Sequence, residues 1–238
     1  MSLTLTGAGR GAPGGGGGPS TLLDGLTAYW LLSGPNAATG APDWTPGPES
    51  AFAATTLSGV GAAHELVVAE GDEALAAGNA LPILAATDAT IFLWARLTDL
   101  TSFWTAFGKV DNLGDTAQIE YAIYYRQNLG EHGFIVSDGT NTSTATGDVD
   151  VVADTYYAIL AEWYAAAGKA YITINDGPRQ EGVNAGTPVP TARTMELRCG
   201  YDGSVYPWRG GVSSVGRWER LLTAPEKAEL MTGIYPWS

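Results

Sequence analysis

The sequence predicts an all-β sandwich of two antiparallel sheets, closed by one short helix near the C-terminus. Three observations predict it. Short apolar or alternating segments recur along the chain, divided by glycine, proline, asparagine and aspartate. One of them, residues 91–97, is apolar on both parities until Arg96, the pattern of a central strand covered on two sides. Helical periodicity is almost absent before the last few turns of chain. At 238 residues such a sandwich is commonly a single unit, able to bury about 70–75% of its unfolded surface.

Taken in order, residues 1–20 form a region of their own. Leu3 and Leu5 alternate with Ser2, Thr4 and Thr6, a strand-like pattern too short to stand alone. A glycine-rich stretch follows, containing Arg10, consecutive glycines from 14 to 18, and Pro19. Such a run loses the most entropy on ordering, so it reads as an extended arm or tether. Two readings stay open: the arm adds residues 2–6 to a neighbouring molecule's sheet edge by β-augmentation, or it folds onto its own domain. The remaining residues, 21–238, read as the sandwich.

Residues 22–32 read as its first strand. Residues 33–62 carry Pro35, Gly40, Pro42, Pro46, Gly47 and Pro48 and read as a long irregular crossing, with Trp44 buried or stacked within it. Residues 66–68 and 81–84 are short apolar pieces. Ile119, Tyr121, Ile123 and Tyr125 alternate with Glu120, Ala122 and Tyr124, giving a half-buried strand; residues 134–136 continue the series to a turn at Asp138-Gly139. Residues 156–164 and 169–175 form a hairpin through 165–168, ended by Asp176-Gly177-Pro178. Met195, Leu197 and Cys199 alternate before Gly200.

Residues 208–226 run from a strand into a capped helix. Thr223 is the N-cap, Pro225 sits in the first turn, and Glu226 completes a capping box leading into Lys227-Ala228-Glu229-Leu230. Val212 and Val215 cannot share one face of a regular strand, so a bulge is expected near Ser213-Ser214.

Trp208-Arg209-Gly210-Gly211-Val212 through Arg217-Trp218-Glu219-Arg220-Leu221-Leu222-Thr223, followed by Glu226, resembles the closing strand and helix of concanavalin A-like jelly rolls, specifically laminin-G-like domains. Gly25-Leu26-Thr27-Ala28-Tyr29-Trp30 is similar to their first strand, and Thr90-Ile91-Phe92-Leu93-Trp94-Ala95-Arg96-Leu97 to their Thr-x-x-x-Trp strand. Phe107-Gly108-Lys109, Asp154-Thr155-Tyr156-Tyr157, Ile174-Asn175-Asp176-Gly177 and Leu197-Arg198-Cys199-Gly200 fall in the expected order. The resemblance covers roughly residues 22–232 and implies a jelly-roll sandwich. This fold carries lectins, hydrolases and passive structural modules alike, so function has to come from the site. Domains of this kind also occur in tailed-bacteriophage particle proteins.

Twelve basic residues face 25 acidic ones, a net charge of −13. With no basic stripe to displace counterions, nucleic acid is not an expected partner. No apolar run approaches the ~18 residues of a spanning helix, so no membrane partner is expected. The first residues have neither a basic start nor an apolar core, so no secretory signal is read, and the product is expected to stay in the cytoplasm of its host or leave by lysis. The single cysteine, Cys199, excludes an internal disulfide and reads as a small core residue.

Chemistry is sparse. Glycoside hydrolysis needs a pair of carboxylates across the bond, here expected two residues apart on one strand. The nearest candidate, Asp148-Val149-Asp150, reads as a loop–strand junction, and Glu120 and Glu162 are single carboxylates beside aromatic residues. His64 and His132 lie in turn contexts without a nucleophile elbow and read as surface residues. Calcium is the metal to consider: Asp111, Asn112 and Asp115 form one oxygen-rich loop, and Asp138, Asn141, Asp148 and Asp150 surround another. The competing reading is a solvated acidic loop. Relatives often carry an acidic pair where this chain has Ser213-Ser214, which removes possible ligands.

Of eight tryptophans, Trp30, Trp94, Trp163 and Trp218 lie on expected strands and read as core. Trp104, and Trp208 beside Tyr206, read as loop residues able to present a ring to a sugar, to clamp a strand end or to fill an interface. Three functions follow. The first is a non-enzymatic virion component, a capsid decoration or tail protein docking on other particle subunits, or on copies of itself, through Leu3, Leu5 and Arg10 of the arm. The alternative is a carbohydrate-binding module using Trp104, Tyr206 and Trp208, with or without calcium. An enzyme comes last.

Overall fold

The computed structural model describes residues 21–30, 45–46, 50–57, 61–68, 75–76, 81–195, 197–199 and 208–232. The arm residues Leu3, Leu5 and Arg10, together with Trp44 and Tyr206, lie outside the described residues. In chain order the strands are β1 (Leu26–Trp30), β2 (Thr45–Pro46), β3 (Ser50–Leu57), β4 (Gly61–Val68), β5 (Leu75–Ala76), β6 (Ala89–Leu97), β7 (Trp104–Val110) and β8 (Ile119–Arg126). There follow β9 (Glu131–Ser137), β10 (Thr142–Thr146), β11 (Tyr156–Tyr164), β12 (Lys169–Ile174), β13 (Gln180–Glu181), β14 (Val183–Ala185), β15 (Leu197–Cys199), β16 (Gly210–Trp218) and the helix α1 (Ala224–Met231). One antiparallel sheet runs β13-β12-β11-β6-β16-β4-β3, with β1 also on β16; the other runs β14-β10-β9-β8-β7-β15-β5-β2.

β6 lies between β11 and β16, and its two apolar parities have two partners. Ile91, Leu93, Ala95 and Leu97 enter the main core between the sheets, where they join Tyr121, Ile123, Phe134 and Val136 of the opposing sheet. Phe92 and Trp94 point the other way, into a second cluster with Leu160, Trp218, Leu222 and Leu230. The expected bulge is present. The β16–β6 register shifts between Ser213 and Gly216, Ser214 adopts φ 50°, and both Val212 and Val215 reach the main core.

A second bulge redirects a charge. The β7–β8 register skips between Lys109 and Val110, which leaves Glu120 beside Lys109. Their side chains, both 0% exposed, meet at 3.0 Å. Glu120 also accepts the Ile83 and Arg193 backbone N–H groups at 2.9 and 3.0 Å, and Lys109 donates to the Arg193 carbonyl at 3.1 Å. Burial pushes the Glu120 carboxyl up, while Lys109 and the two N–H donors oppose it. This pair ties the segments around Ile83 and Arg193, which carry no ladder bonds of their own, to the sheet.

Two expectations are corrected. Within 33–62, residues 50–57 pair with 61–68 in a long hairpin; the small residues of Ser50–Leu57 hide the apolar alternation that marks a strand. The first strand begins at Leu26, because Gly25 at φ 69° and the Asp24 N–H to Thr21 carbonyl bond turn the chain before it. Residues 81–84, the short apolar piece, lie outside the ladders, and the Ile83 N–H is held by Glu120.

The capping box closes the fold. Glu226, 3% exposed, accepts the Thr223 backbone N–H and hydroxyl at 2.7 and 2.8 Å, the Thr21 hydroxyl at 2.6 Å, and both guanidinium ends of Arg220 at 2.6 and 2.9 Å. Arg220 in turn donates to the carbonyls of Thr21 and Asp24. The Trp218 indole donates to the Leu22 carbonyl at 2.6 Å. The start of the sandwich is thus fastened to its end. Arg220 holds the Glu226 carboxyl far below its ordinary value of 4.5. The stabilisation this gives is therefore present above that value and lost as pH falls through the acid range. Glu226→Ala should cost about 3 kcal/mol at pH 7, the scale for breaking a buried ion pair. In thermal unfolding this appears as a drop of roughly 6–12 °C, and the gap between variant and wild type should narrow at pH 3.

Candidate functional site

A depression of about 820 Å³ lies on the outer face of the sheet containing β6, between α1 and the β11–β12 hairpin. Its floor follows from strand parity. Tyr156, Ala158 and Leu160 are alternate residues of β11, and Trp94 of β6 pairs with Ala158. Its helical wall follows from the 3.6-residue period: Ala224, Lys227, Ala228 and Met231 fall on one stripe of α1, while Leu230 is buried in the second cluster. The far rim carries Thr173, Asn175, Asp176 and Arg179.

Each rim group is fixed by a local cause. Asn175 takes φ 55°, accepts the Ala158 N–H on its Oδ1 at 3.0 Å and donates its own N–H to the Ala158 carbonyl at 2.8 Å. That turn leaves Asp176 exposed. Arg179 stacks its guanidinium 3.5 Å from the Tyr171 ring centroid and reaches Glu162 at 2.9 Å, and Lys227 reaches the same carboxylate at 2.7 Å. At the other end, Glu65 binds Arg96 at 3.3 Å and accepts the Tyr156 hydroxyl. Burial pushes the Tyr156 phenol up to about 12, with Glu65 adding to it.

A smaller depression of about 300 Å³ lies on the outer face of the opposing sheet, lined by Phe103, Leu113, Tyr124, Arg126, Ile135 and Thr144. Gly133 makes it possible: a Cβ there would stand 2.7 Å from Tyr124 Cζ. Arg126 and the Thr144 hydroxyl are the polar side chains of its lining beside Tyr124, so it has fewer groups with which to orient a ligand.

The aromatic residues expected to stack on a sugar are elsewhere. Trp208 is 0% exposed; its indole donates to the Arg96 carbonyl at 3.0 Å and its ring stacks on His132. Trp104 opens β7 rather than ending a loop and is 5% exposed, with the Arg209 guanidinium 4.9 Å from its ring centroid. Neither presents a face to solvent. Trp30, Trp163 and Trp218 are core, as expected. Trp94 is buried as well, 5% exposed, in the outer cluster that also holds Trp218, and it borders the large groove.

The acidic loops use their oxygens within the chain. Asp115 accepts the Ala117 N–H and the Gln118 amide, Asn112 accepts the Gly114 N–H, and Asp111 faces Arg198 at 3.6 Å. Asp138 accepts the N–H groups of Thr140, Asn141 and Val189; these outweigh its desolvation and lower its carboxyl to about 2. Asp148 and Asp150 are exposed and raise the carboxyl of Glu131 beside them, with desolvation the larger cause. Among the described residues no group of three or more His, Cys, Asp or Glu side chains is arranged to hold a metal ion. Cys199 is buried, and burial pushes its thiol up.

His132 is corrected from surface to core. It packs against Tyr157, Trp208 and Tyr125 with ring centroids 5.4, 6.0 and 6.2 Å away. Desolvation drives its imidazole down to about 3, with only the Tyr124 backbone favouring the charged form. A folded pKa below the unfolded value of about 6.5 means stability is complete above pH 6.5 and lost as pH falls toward 3. Between pH 6.5 and 4.5 that loss is roughly 2–3 kcal/mol. His132→Phe should keep the stacking and flatten the unfolding free energy across that window, measured by denaturant titration; the carboxylate-driven loss at lower pH should persist.

A sequence profile described as the concanavalin A-like lectin/glucanases superfamily, laminin-G type, matches residues 69–226. No curated protein sequence matches the chain. Among solved structures, the binding domain of Paraclostridial mosquitocidal protein 1 is similar at TM-score 0.64 and 10% identity, covering 87% of this chain and 52% of that one. Domain 4 of AbnA, a GH43 extracellular arabinanase from Geobacillus stearothermophilus solved with arabinotriose, is similar at TM-score 0.58 and 14% identity, covering 87% and 98%. The receptor-binding domain of botulinum neurotoxin D gives TM-score 0.59 and 10% identity, covering 88% and 53%. The chain thus spans about half of each toxin fragment and nearly all of the arabinanase domain.

Proposed function

Since the chain belongs to the concanavalin A-like lectin/glucanase superfamily, we propose that it is a carbohydrate-binding module that takes an oligosaccharide in the groove between α1 and the β11–β12 hairpin. The observation that carries this reading is the composition of the groove: an apolar floor in which the half-buried Tyr156 offers ring surface above the buried Trp94, Ala158 and Leu160, bordered by Thr155, Thr173, Asn175 and Asp176, with Asn175 held by the Ala158 backbone. Sugars offer apolar ring faces and a belt of hydroxyls, and this arrangement meets both. The arabinanase domain of the same fold, solved with arabinotriose, supports a saccharide as the ligand class.

The groove favours binding over hydrolysis. Asp176 is its one exposed lining carboxylate among the described residues, and Glu162 beneath the lining is held by two cations. A general acid facing a nucleophile across a bond is not formed from these two. The test is isothermal titration of the full-length protein with arabinotriose and a panel of plant, bacterial and animal glycans. A binder should be found, and Asp176→Ala should weaken it at least fivefold without moving the melting temperature; Trp94→Phe should weaken it too, and because Trp94 is buried in the outer cluster it should also lower the melting temperature. Val183→Ala, at an exposed position on the other sheet, should leave affinity unchanged. Affinity unaffected by both groove variants would overturn the assignment of the site.

Residues 1–20 favour a setting for such a module: a particle component of virion type, docking on other subunits through Leu3, Leu5 and Arg10 while the glycines at 14–18 span the gap. Deleting residues 1–20 should then abolish co-assembly and leave both the melting temperature and glycan affinity intact. Assembly that survives the deletion would overturn this setting.

A further inference from the structure

We infer that the groove selects neutral saccharides and rejects acidic ones, an inference that rests on the saccharide-binding reading above. Arg179 and Lys227 are its lining cations among the described residues. Both are engaged from beneath by one carboxylate, Arg179 Nε at 2.9 Å and Lys227 Nζ at 2.7 Å from the two oxygens of Glu162. The Glu162 side chain is 1% exposed and lies on a strand paired on both sides, so it cannot swing away to release them. The Arg179 guanidinium also has one face closed by the Tyr171 ring, 3.5 Å from its centroid.

Capture of a sialic or uronic acid carboxylate relies on a free guanidinium fork or an uncommitted ammonium. Here each cation already carries Glu162 as its counter-charge, through Arg179 Nε and Lys227 Nζ. Arg179 and Lys227 are matched by Glu162 below them and Asp176 on the rim, two positive charges against two negative. An arriving carboxylate meets that local balance and, beyond it, the field of a chain with net charge −13. Like charge at both ranges disfavours it, which is selection by repulsion. What the groove does present is hydrogen bonding from Thr155, Thr173 and Asn175 over an apolar floor, and a neutral sugar needs no more.

Titrating the full-length protein with neutral oligosaccharides (arabinotriose, and glucose and xylose oligomers) and with acidic ones (3′-sialyllactose, digalacturonate) tests this. Binding confined to neutral probes is expected, with affinity changing less than about twofold from about 0.05 to 0.5 M NaCl, since no ion pair is formed to be screened. Glu162→Gln should release Arg179 and Lys227 and raise affinity for 3′-sialyllactose at least tenfold at low salt. Asp176→Asn, at an exposed position, tests the same charge balance without touching the buried carboxylate and should shift the preference the same way. Acidic probes binding more tightly than neutral ones, with affinity falling as salt rises, would overturn this inference and leave the saccharide-binding reading standing. Failure of every saccharide to bind would instead overturn that reading, and this inference with it.

Discussion

The carboxylate of Glu226 is the group on which the outer face of the first sheet depends. Five donor contacts converge on it: from the helix cap, from the start of the sandwich at Thr21, and from Arg220. An eight-residue helix is too short to persist on propensity alone, so its place on the sheet comes from this cap and from Leu230 in the outer cluster. Through Arg220 the same carboxylate holds the turn that seats Leu22 beside Trp218. With one cysteine and so no internal disulfide, the first and last described segments of the sandwich are joined by this charged hydrogen-bond network.

The groove is a consequence of how little the helix covers. Phe92 and Trp218 are sealed by α1 and its flanks, while Tyr156, Ala158, Leu160 and Trp94 border the groove beside it. Tyr156, Ala158, Leu160 and Glu162 occupy one face of β11, seven residues end to end, or roughly 20 Å of extended chain. Each end carries a buried carboxylate with its cation: Glu65 with Arg96, and Glu162 with Arg179 and Lys227. Gly211 is required at the first end, because a Cβ there would lie 1.7 Å from Glu65 Oε2. These pairs contribute geometry more than stability, since their attraction is largely offset by desolvation. They fix where the polar groups stand.

Much of the fold was legible because its signals are local. The two apolar parities of residues 91–97, the parity break between Val212 and Val215, and the Thr223–Glu226 spacing each have one structural solution. The hairpin at 50–68 was not legible, because alanine and threonine satisfy a ladder without marking a face. The groove itself could not be read, since Trp94, Asn175 and Lys227 are far apart in sequence and meet only through the β11–β12 pairing and the seating of α1. One signal was available and passed over: Trp208 shares parity with Val212 across Gly210, so the alternation that sends Val212 inward sends Trp208 with it.

That misplacement of Trp208 bears on how aromatic residues should be weighed in such folds. A tryptophan beside glycine and proline looks like a sugar platform, yet the same ring is the largest plug available for the end of a sandwich. Here Trp30, Trp163, Trp208 and Trp218 are fully buried, and the Trp208 and Trp218 indoles are held by backbone carbonyls. Burying a ring with its N–H satisfied stabilises the fold, whereas exposing it offers only weak contact to a transient ligand. Without cross-links, the core takes most of the large rings. In the proposed saccharide groove the ring surface left over is that of Tyr156, whose hydroxyl Glu65 of β4 holds in place, and selectivity would then fall to the polar rim.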